Sequence, residues 1–117
     1  MSDFTIHNRE VENIHVLDLK GYLDAHTSSE LDTTFLKLKE ERKFNIVVNC
    51  KDLKYISSAG LGVFMAYIED VRKNDGDIKL SNLSPKVFNI FDLLGFPLLY
   101  DITKTEEDAI KKFVGRK

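Results

Sequence analysis

Apolar and polar positions alternate at the start of the chain. Phe4 and Ile6 are separated by polar residues, a polar Asn8-Arg9-Glu10 stretch follows, and Ile14 to Leu19 is rich in β-branched and aliphatic side chains. Period-two runs bounded by polar residues predict a hairpin-like pair of strands with its turn at Asn8–Glu10. After Gly21-Tyr22-Leu23-Asp24 the period lengthens. Leu31, Phe35 and Leu38 recur at helical spacing, while Lys37, Lys39, Glu40 and Glu41 fall on the other side. Thr27 and Glu30 have capping-box spacing, so either Asp24 or Thr27 starts this helix.

The unbroken run Ile46-Val47-Val48, within Phe44–Asn49, predicts a central strand covered on both faces. Asp52 to Ser58 reads as a connection. Gly60-Leu61-Gly62 then opens a second helix whose apolar stripe is Leu61, Phe64, Met65, Ile68 and Val71. Asn74-Asp75-Gly76-Asp77 is a stop and turn signal, and Ile78 with Leu80 forms a short strand. Ser84 followed by Pro85 marks an N-cap with Pro at the first helical position. Val87, Ile90, Phe91 and Leu94 make that helix's stripe, and Gly95 ends it. Pro97 to Tyr100 reads as a last short strand. Thr103 with Glu106 caps a final helix that buries Ala109, Ile110 and Phe113. Helices alternating with strands after the first pair predict an α/β domain with a mixed sheet, its parallel neighbours joined by right-handed crossovers.

A chain of 117 residues fits one domain, taken as 1–117, and 43% hydrophobic with 31% charged residues is ordinary for a globular protein. The formal net charge is -2, from 17 basic and 19 acidic residues. That leaves no broad basic surface, so no direct nucleic-acid partner is expected. Lys111, Lys112, Arg116 and Lys117 read as a solvated helix end, where cations suit the helix dipole. Cys50 is the single cysteine, which fits a reducing cytoplasm. Met1-Ser2-Asp3-Phe4 lacks a basic region followed by an apolar one, and no apolar run is long enough to span a bilayer. The expectation is a cytoplasmic protein with no membrane partner.

His7, His15 and His26 are scattered without metal-ligand spacing. Ser57-Ser58-Ala59-Gly60 is not the Gly-x-Ser-x-Gly elbow of hydrolases. Gly60-x-Gly62 is followed by Val63 and Phe64, with no phosphate-binding lysine, and is the one feature that favours a small nucleotide-binding or hydrolytic enzyme. No catalytic residue, metal or cofactor is therefore expected. What stands out is the segment Asp52–Val63, which joins a buried strand to a helix through two serines and small residues. Serines there lie among unpaired backbone N–H groups. One reading is plain capping, in which Ser57 or Ser58 accepts an N–H bond worth roughly 1 kcal/mol. The other is phosphorylation, which adds a charge of about -1.5 to -2 that a helix N-terminus tolerates. The fold then survives, and the binding of a partner around the loop changes.

Asn49-x-x-Asp52-Leu53-x-x-Ile56-Ser57-Ser58-Ala59-Gly60-Leu61-Gly62 resembles the central motif of the STAS domain, within it the stand-alone anti-anti-sigma factors of the SpoIIAA/RsbV type. Gly21-Tyr22-Leu23-Asp24, Leu80-Ser81-Asn82-Leu83-Ser84-Pro85-x-Val87 and Phe91-x-x-x-Gly95-Phe96 extend the likeness over nearly the whole chain. The resemblance implies a SpoIIAA-like α/β fold, a mixed sheet of four to five strands with about four α-helices. It implies an anti-sigma factor antagonist, not an enzyme. The unphosphorylated form would bind an anti-sigma factor that is also a serine kinase of the histidine-kinase-like ATPase type, releasing a sigma factor. Phosphorylation would end that binding, and a serine phosphatase would restore it. Carried over by position, the acceptor is Ser58. Members with an acid before the acceptor differ from this chain, which has Ser57 there, so Ser57 stays an alternative acceptor. The implied partner-binding residues are Asp24, Ser57, Ser58, Ala59, Gly60, Leu61 and Gly62. Asp24 has helix capping as its other reading. An alternative role is a STAS interaction module, not phosphorylated, in a larger signalling or transport complex.

Overall fold

The structure is a computed structural model that describes residues 4–114. Arg116 and Lys117, read above as part of a basic helix end, lie outside the described residues. Five strands form one sheet in the order β1-β2-β3-β4-β5. β1 (Phe4–Val11) and β2 (Ile14–Leu23) are antiparallel. The pairs of β2 with β3 (Asn45–Ile56), β3 with β4 (Asp77–Ser81), and β4 with β5 (Ile102–Thr103) are parallel. The helices are α1 (Ser28–Glu40), α2 (Ser58–Lys73), α3 (Pro85–Leu93), the single turn α4 (Phe96–Leu99) and α5 (Glu106–Val114). This is the expected mixed α/β sheet, with one more helical element than expected.

Strand alternation divides the core. Leu17, Leu19, Ile46, Val48, Ile78 and Leu80 face one side, where α1, α2 and α3 cover them with Leu31, Phe35, Phe64 and Phe91. Ile14, Val16 and Val47 face the other side, where α5 covers them with Ala109 and Ile110, and Phe113 packs half-buried at the edge. Val47 and its two neighbours are thus buried on both faces of a central strand.

Six expectations are corrected. The hairpin turn is at Glu12-Asn13, both at positive φ (52° and 67°), and Asn8-Arg9-Glu10 lies within β1. Two consecutive left-handed residues match the twist of a two-residue hairpin, and Asn13 suits that conformation. Asp52–Ile56 is not a connection but the second half of β3. β4 pairs only with Asn45–Asn49, so beyond that point polar residues are tolerated in an extended strand. Two bulges place an extra β3 residue opposite Asp18–Lys20 and opposite Gly21–Tyr22. In the first, Asn49 Oδ1 accepts the Lys51 N–H at 2.9 Å.

Pro97–Tyr100 is not a strand. Phe96 and Tyr100 stack with ring centroids 4.9 Å apart, Phe96 lies 5.1 Å from Phe91, and the Tyr100 N–H donates to the Phe96 carbonyl. Aromatic packing thus closes a helical turn, and the strand follows at Ile102. The final helix is capped by Thr105, whose Oγ1 accepts the Asp108 N–H, and not by Thr103. On α2, Met65 is exposed where burial was expected, because it points away from α1, and Tyr67 on the opposite flank is buried instead, its ring 5.5 Å from Phe35 of α1. Leu94 of the α3 stripe is exposed as well. Ser84 caps α3 as expected, accepting the Val87 N–H at 3.2 Å.

Candidate functional site

The serines lie where β3 hands over to α2, at the carboxyl end of the parallel strands. Ile56 is buried and ends β3. The Ser57 N–H donates to the Leu23 carbonyl at 2.9 Å, and the Ser57 carbonyl accepts from the Leu61 N–H at 3.0 Å. One residue therefore joins the end of β2, the end of β3 and the first turn of α2. Ser57 occupies the N-cap position with extended backbone (φ -100°, ψ 175°), yet its side chain makes no capping bond. Its Oγ is buried without a hydrogen-bond partner. The expected capping hydrogen bond is thus absent, and Ser57 has no base to activate it. Ser58 is the first helical residue and is exposed.

Behind the serines, Gly60 lets α2 press onto the sheet. A Cβ there would lie 2.7 Å from Leu23 Cγ and 3.0 Å from Ile56 Cγ1. Leu61 is buried and Ala59 half-buried. Gly62 is exposed, and a Cβ on it would meet nothing within 4 Å.

Asp24 is one residue beyond the Leu23 carbonyl that holds Ser57, so the structure brings its loop beside the serines. Its Oδ1 accepts the N–H groups of His26 (2.9 Å) and Thr27 (3.2 Å). The His26 N–H, and then those from Thr27, hold the carboxyl below the usual carboxylate range. Thr27 Oγ1 donates to the Tyr22 carbonyl at 2.8 Å and accepts the Asp24 N–H at 2.9 Å, so Thr27 braces the turn and does not cap α1 with its side chain. Both candidate starters of α1 serve together. Thr27 is the N-cap residue, and Asp24 supplies the side-chain acceptor.

Nearby, Tyr22, Lys51, Asp52, Leu53, Lys54, Ser84 and Lys86 line an open cleft of about 420 Å³. Among the described residues no group of three or more His, Cys, Asp or Glu side chains is arranged to hold a metal ion. Cys50 is buried, and burial pushes its thiol up to about 12. The arrangement offers one exposed hydroxyl on a rigid corner, with free helical N–H groups beside it.

A family model described as the STAS domain matches residues 5–109. The chain belongs to the STAS domain family. An anti-sigma-B factor antagonist of Bacillus subtilis (strain 168) is 29% identical to this STAS chain over 103 residues, covering 88% of it and 94% of the relative. An anti-sigma factor antagonist from Mycobacterium paratuberculosis has the same fold at TM-score 0.85 and 18% identity, with 93% and 92% of the two chains covered. SpoIIAA in its unphosphorylated form superposes at TM-score 0.72 and 23% identity, covering 96% of this chain and 98% of its own. The phosphorylated form of the Bacillus protein gives 0.71 and 22%, covering 94% and 98%. The STAS fold expected from the central motif is the fold observed.

Sequence reasoning left out one polar cluster that the STAS motif reaches. Arg9 of β1 clasps Asp18 of β2 at 2.6 and 2.9 Å and Glu106 of α5 at 2.5 and 3.2 Å. Asn49, the first residue of the motif, donates to Glu106 at 3.0 Å. Asn49 thus serves the fold, holding the bulge and α5 together, and does not face Ser58's side of the sheet. Its position before the bulge, with Glu106 far along the chain, leaves no local signal for that role.

Proposed function

We propose that this chain is an anti-sigma factor antagonist, switched by phosphorylation of Ser58. The observation that carries the reading is the contrast between neighbours: the Ser58 side chain is open on the first turn of α2, and the Ser57 hydroxyl is enclosed. A kinase reaches the first and not the second. The B. subtilis relative is named for this role, and SpoIIAA exists in an unphosphorylated and a phosphorylated form, which supports the same reading.

On this reading the chain contributes an acceptor hydroxyl and a binding surface. The partner is an anti-sigma factor with serine kinase activity, which brings nucleotide and magnesium, and a serine phosphatase reverses the reaction. Phosphate at Ser58 adds about -1.5 to -2 charge beside the free N–H groups of the first turn, where the helix dipole favours an anion. The free protein accommodates it. A partner closing over Ser58 must desolvate it, and a hundredfold loss of affinity needs only about 2.7 kcal/mol. Asp24, Ala59 and Gly62 border that surface, and the buried Gly60 and Leu61 set the position of α2 behind it. No helix among the described residues is long and apolar enough to cross a membrane, and the proposed place of action is the cytoplasm.

The test is phosphorylation of the purified chain by the anti-sigma factor kinase of the same organism with Mg-ATP, the site being localised by mass spectrometry. Modification at Ser58, abolished in Ser58→Ala, supports the reading. Absence of modification at either serine overturns it. Modification at Ser57 alone moves the acceptor and refutes the assignment.

A further inference from the structure

The outer side of α2 continues into an apolar surface that the fold does not use. Ser58, Met65 and Arg72 follow one another at intervals of seven residues, so they point within about 20° of one another per step along one flank. Neighbouring contacts show which flank it is. Arg72 donates to the Leu99 carbonyl, and its guanidinium lies 5.7 Å from the Tyr100 ring centroid. Phe64 packs against Phe91 at 6.1 Å and Tyr100 at 6.3 Å. The opposite flank belongs to α1, through Tyr67 on Phe35 and Asp70 on Lys39. The line from Ser58 therefore runs beside the α3–α4 segment.

That segment is unusually bare. Leu93 is 85% exposed and Leu98 91%, and Leu94, Leu99 and Met65 are each about half exposed (57%, 46% and 48%). Single exposed apolar residues are ordinary, but large side chains gathered on one side of a small domain mark an interaction surface. Met65 stands two turns from Ser58, about 10 Å along the axis.

We propose that Met65 with Leu93, Leu94, Leu98 and Leu99 seats an apolar face of the anti-sigma factor, with Ser58 at the border of that contact. This rests on the function proposed above and names the surface by which that partner is held. A partner anchored on these residues is drawn over Ser58, which places the acceptor within its reach and makes a later phosphate costly to cover. Gly62, four residues after Ser58 and without a fold-imposed reason to lack a side chain, leaves room for close approach. Charge gives an anionic bilayer no hold here. α2 and α3 carry Glu69, Asp70 and Asp92 against Arg72, Lys73 and Lys86, so no net positive field draws anionic lipid, and Arg72 is already paired with Asp77 at 2.9 Å. A second copy of the chain seated here would obstruct the flank that the kinase needs.

The experiment compares four full-length variants with wild type by isothermal titration calorimetry against the anti-sigma factor kinase of the same organism. Leu93→Asp with Leu98→Asp changes side chains that pack on little, so folding is retained, and circular dichroism checks it. Leu36→Asp on α1 is the control, Ser58→Asp reports the switch, and Met65→Asp probes the α2 side alone. Expected are affinities at least tenfold weaker for the double leucine variant and for Met65→Asp, with Leu36→Asp within twofold of wild type. If both leave affinity unchanged while Ser58→Asp weakens it, this surface is not the seat and the switch stands. If wild type does not bind, or Ser58→Asp binds equally well, the proposed function itself fails. Sedimentation showing a wild-type dimer lost in the double variant, or flotation with phosphatidylglycerol vesicles lost in it, would reassign the surface and overturn the inference.

Discussion

The carbonyl of Leu23 holds the N–H of Ser57 at 2.9 Å, and the side chain of the same Leu23 lies 2.7 Å from where a Cβ on Gly60 would be. The last residue of β2 therefore fixes both the entry of α2 and its distance from the sheet. The position of Ser58 follows from those two contacts.

The two glycines of the motif respond oppositely to the same change. Gly60→Ala forces a methyl against Leu23 and Ile56, and the overpacking is expected to cost about 1–3 kcal/mol. Gly62→Ala meets nothing and removes a helix-interior glycine, so it should stabilise by about 1 kcal/mol. Urea unfolding of both variants checks the sign. A stabilised Gly62→Ala protein that binds the kinase less well would separate a binding role from a folding one.

Ser57→Ala should depart from the usual behaviour of an N-cap. Losing a capping serine ordinarily costs about 1 kcal/mol. Here the hydroxyl is buried and unpaired, so its removal is expected to change unfolding free energy by less than about 0.5 kcal/mol, or to raise it. A loss above 1 kcal/mol in denaturant titration would mean that the hydroxyl is bonded in solution.

Ser58→Asp is expected to leave the free protein as stable as wild type or about 0.3–1 kcal/mol more so, because an anion at the first turn suits the helix dipole. Thermal melting at low and high salt checks this, since the gain is screened as salt rises. Marked destabilisation would place the switch in the fold and not in binding.

Much of this was legible beforehand. The alternation of elements, the burial of Ile46-Val47-Val48 and the junction carrying Ser58 all follow from local pattern, because residue type and spacing act there over a few positions. What escaped depends on side-chain and strand partners that spacing alone does not reveal. Asp52–Ile56 looks like a loop until β2 is laid beside it and the bulges absorb the extra residues. Phe96–Leu99 looks extended until Tyr100 stacks on Phe96 and the tilted ring of Phe91 packs against it. Met65 and Tyr67 fall on opposite flanks of α2, and only the presence of α1, with Phe35 against Tyr67, decides which flank is covered. The silent hydroxyl of Ser57 is likewise invisible to a rule that reads serine before a helix as a cap.

Two clusters set the acid sensitivity of the fold. Arg9, then Asn49, hold the Glu106 carboxyl below its usual range, and Lys79 does the same for Asp101. A carboxyl with a depressed folded value stabilises fully above its unfolded value, about 4. That stability is lost as pH falls through the lower folded value. Glu106→Gln should therefore lower Tm at neutral pH, and the gap to wild type should close as pH falls below the usual glutamate range in calorimetric scans. A gap that persists at acid pH would assign the loss to packing.

Lys79 is only 2% exposed and is held by Asp77 at 2.9 Å and Asp101 at 2.7 Å. Asp77→Asn leaves one of two anions, so the expected cost is about 2–3 kcal/mol, below the ~3–5 kcal/mol of a buried charge that loses its sole partner. Chemical denaturation measures it, and a neutral result would mean that Asp101 alone suffices.

Arg9 and Glu106 join the first strand to the last helix, and that helix covers the face of the sheet away from α1, α2 and α3. The molecule consequently has a back. A tether attached at exposed Lys111 anchors it to a sensor chip with the sheet interposed between linker and Ser58, so an immobilised sample presents its recognition side uniformly to whatever flows past.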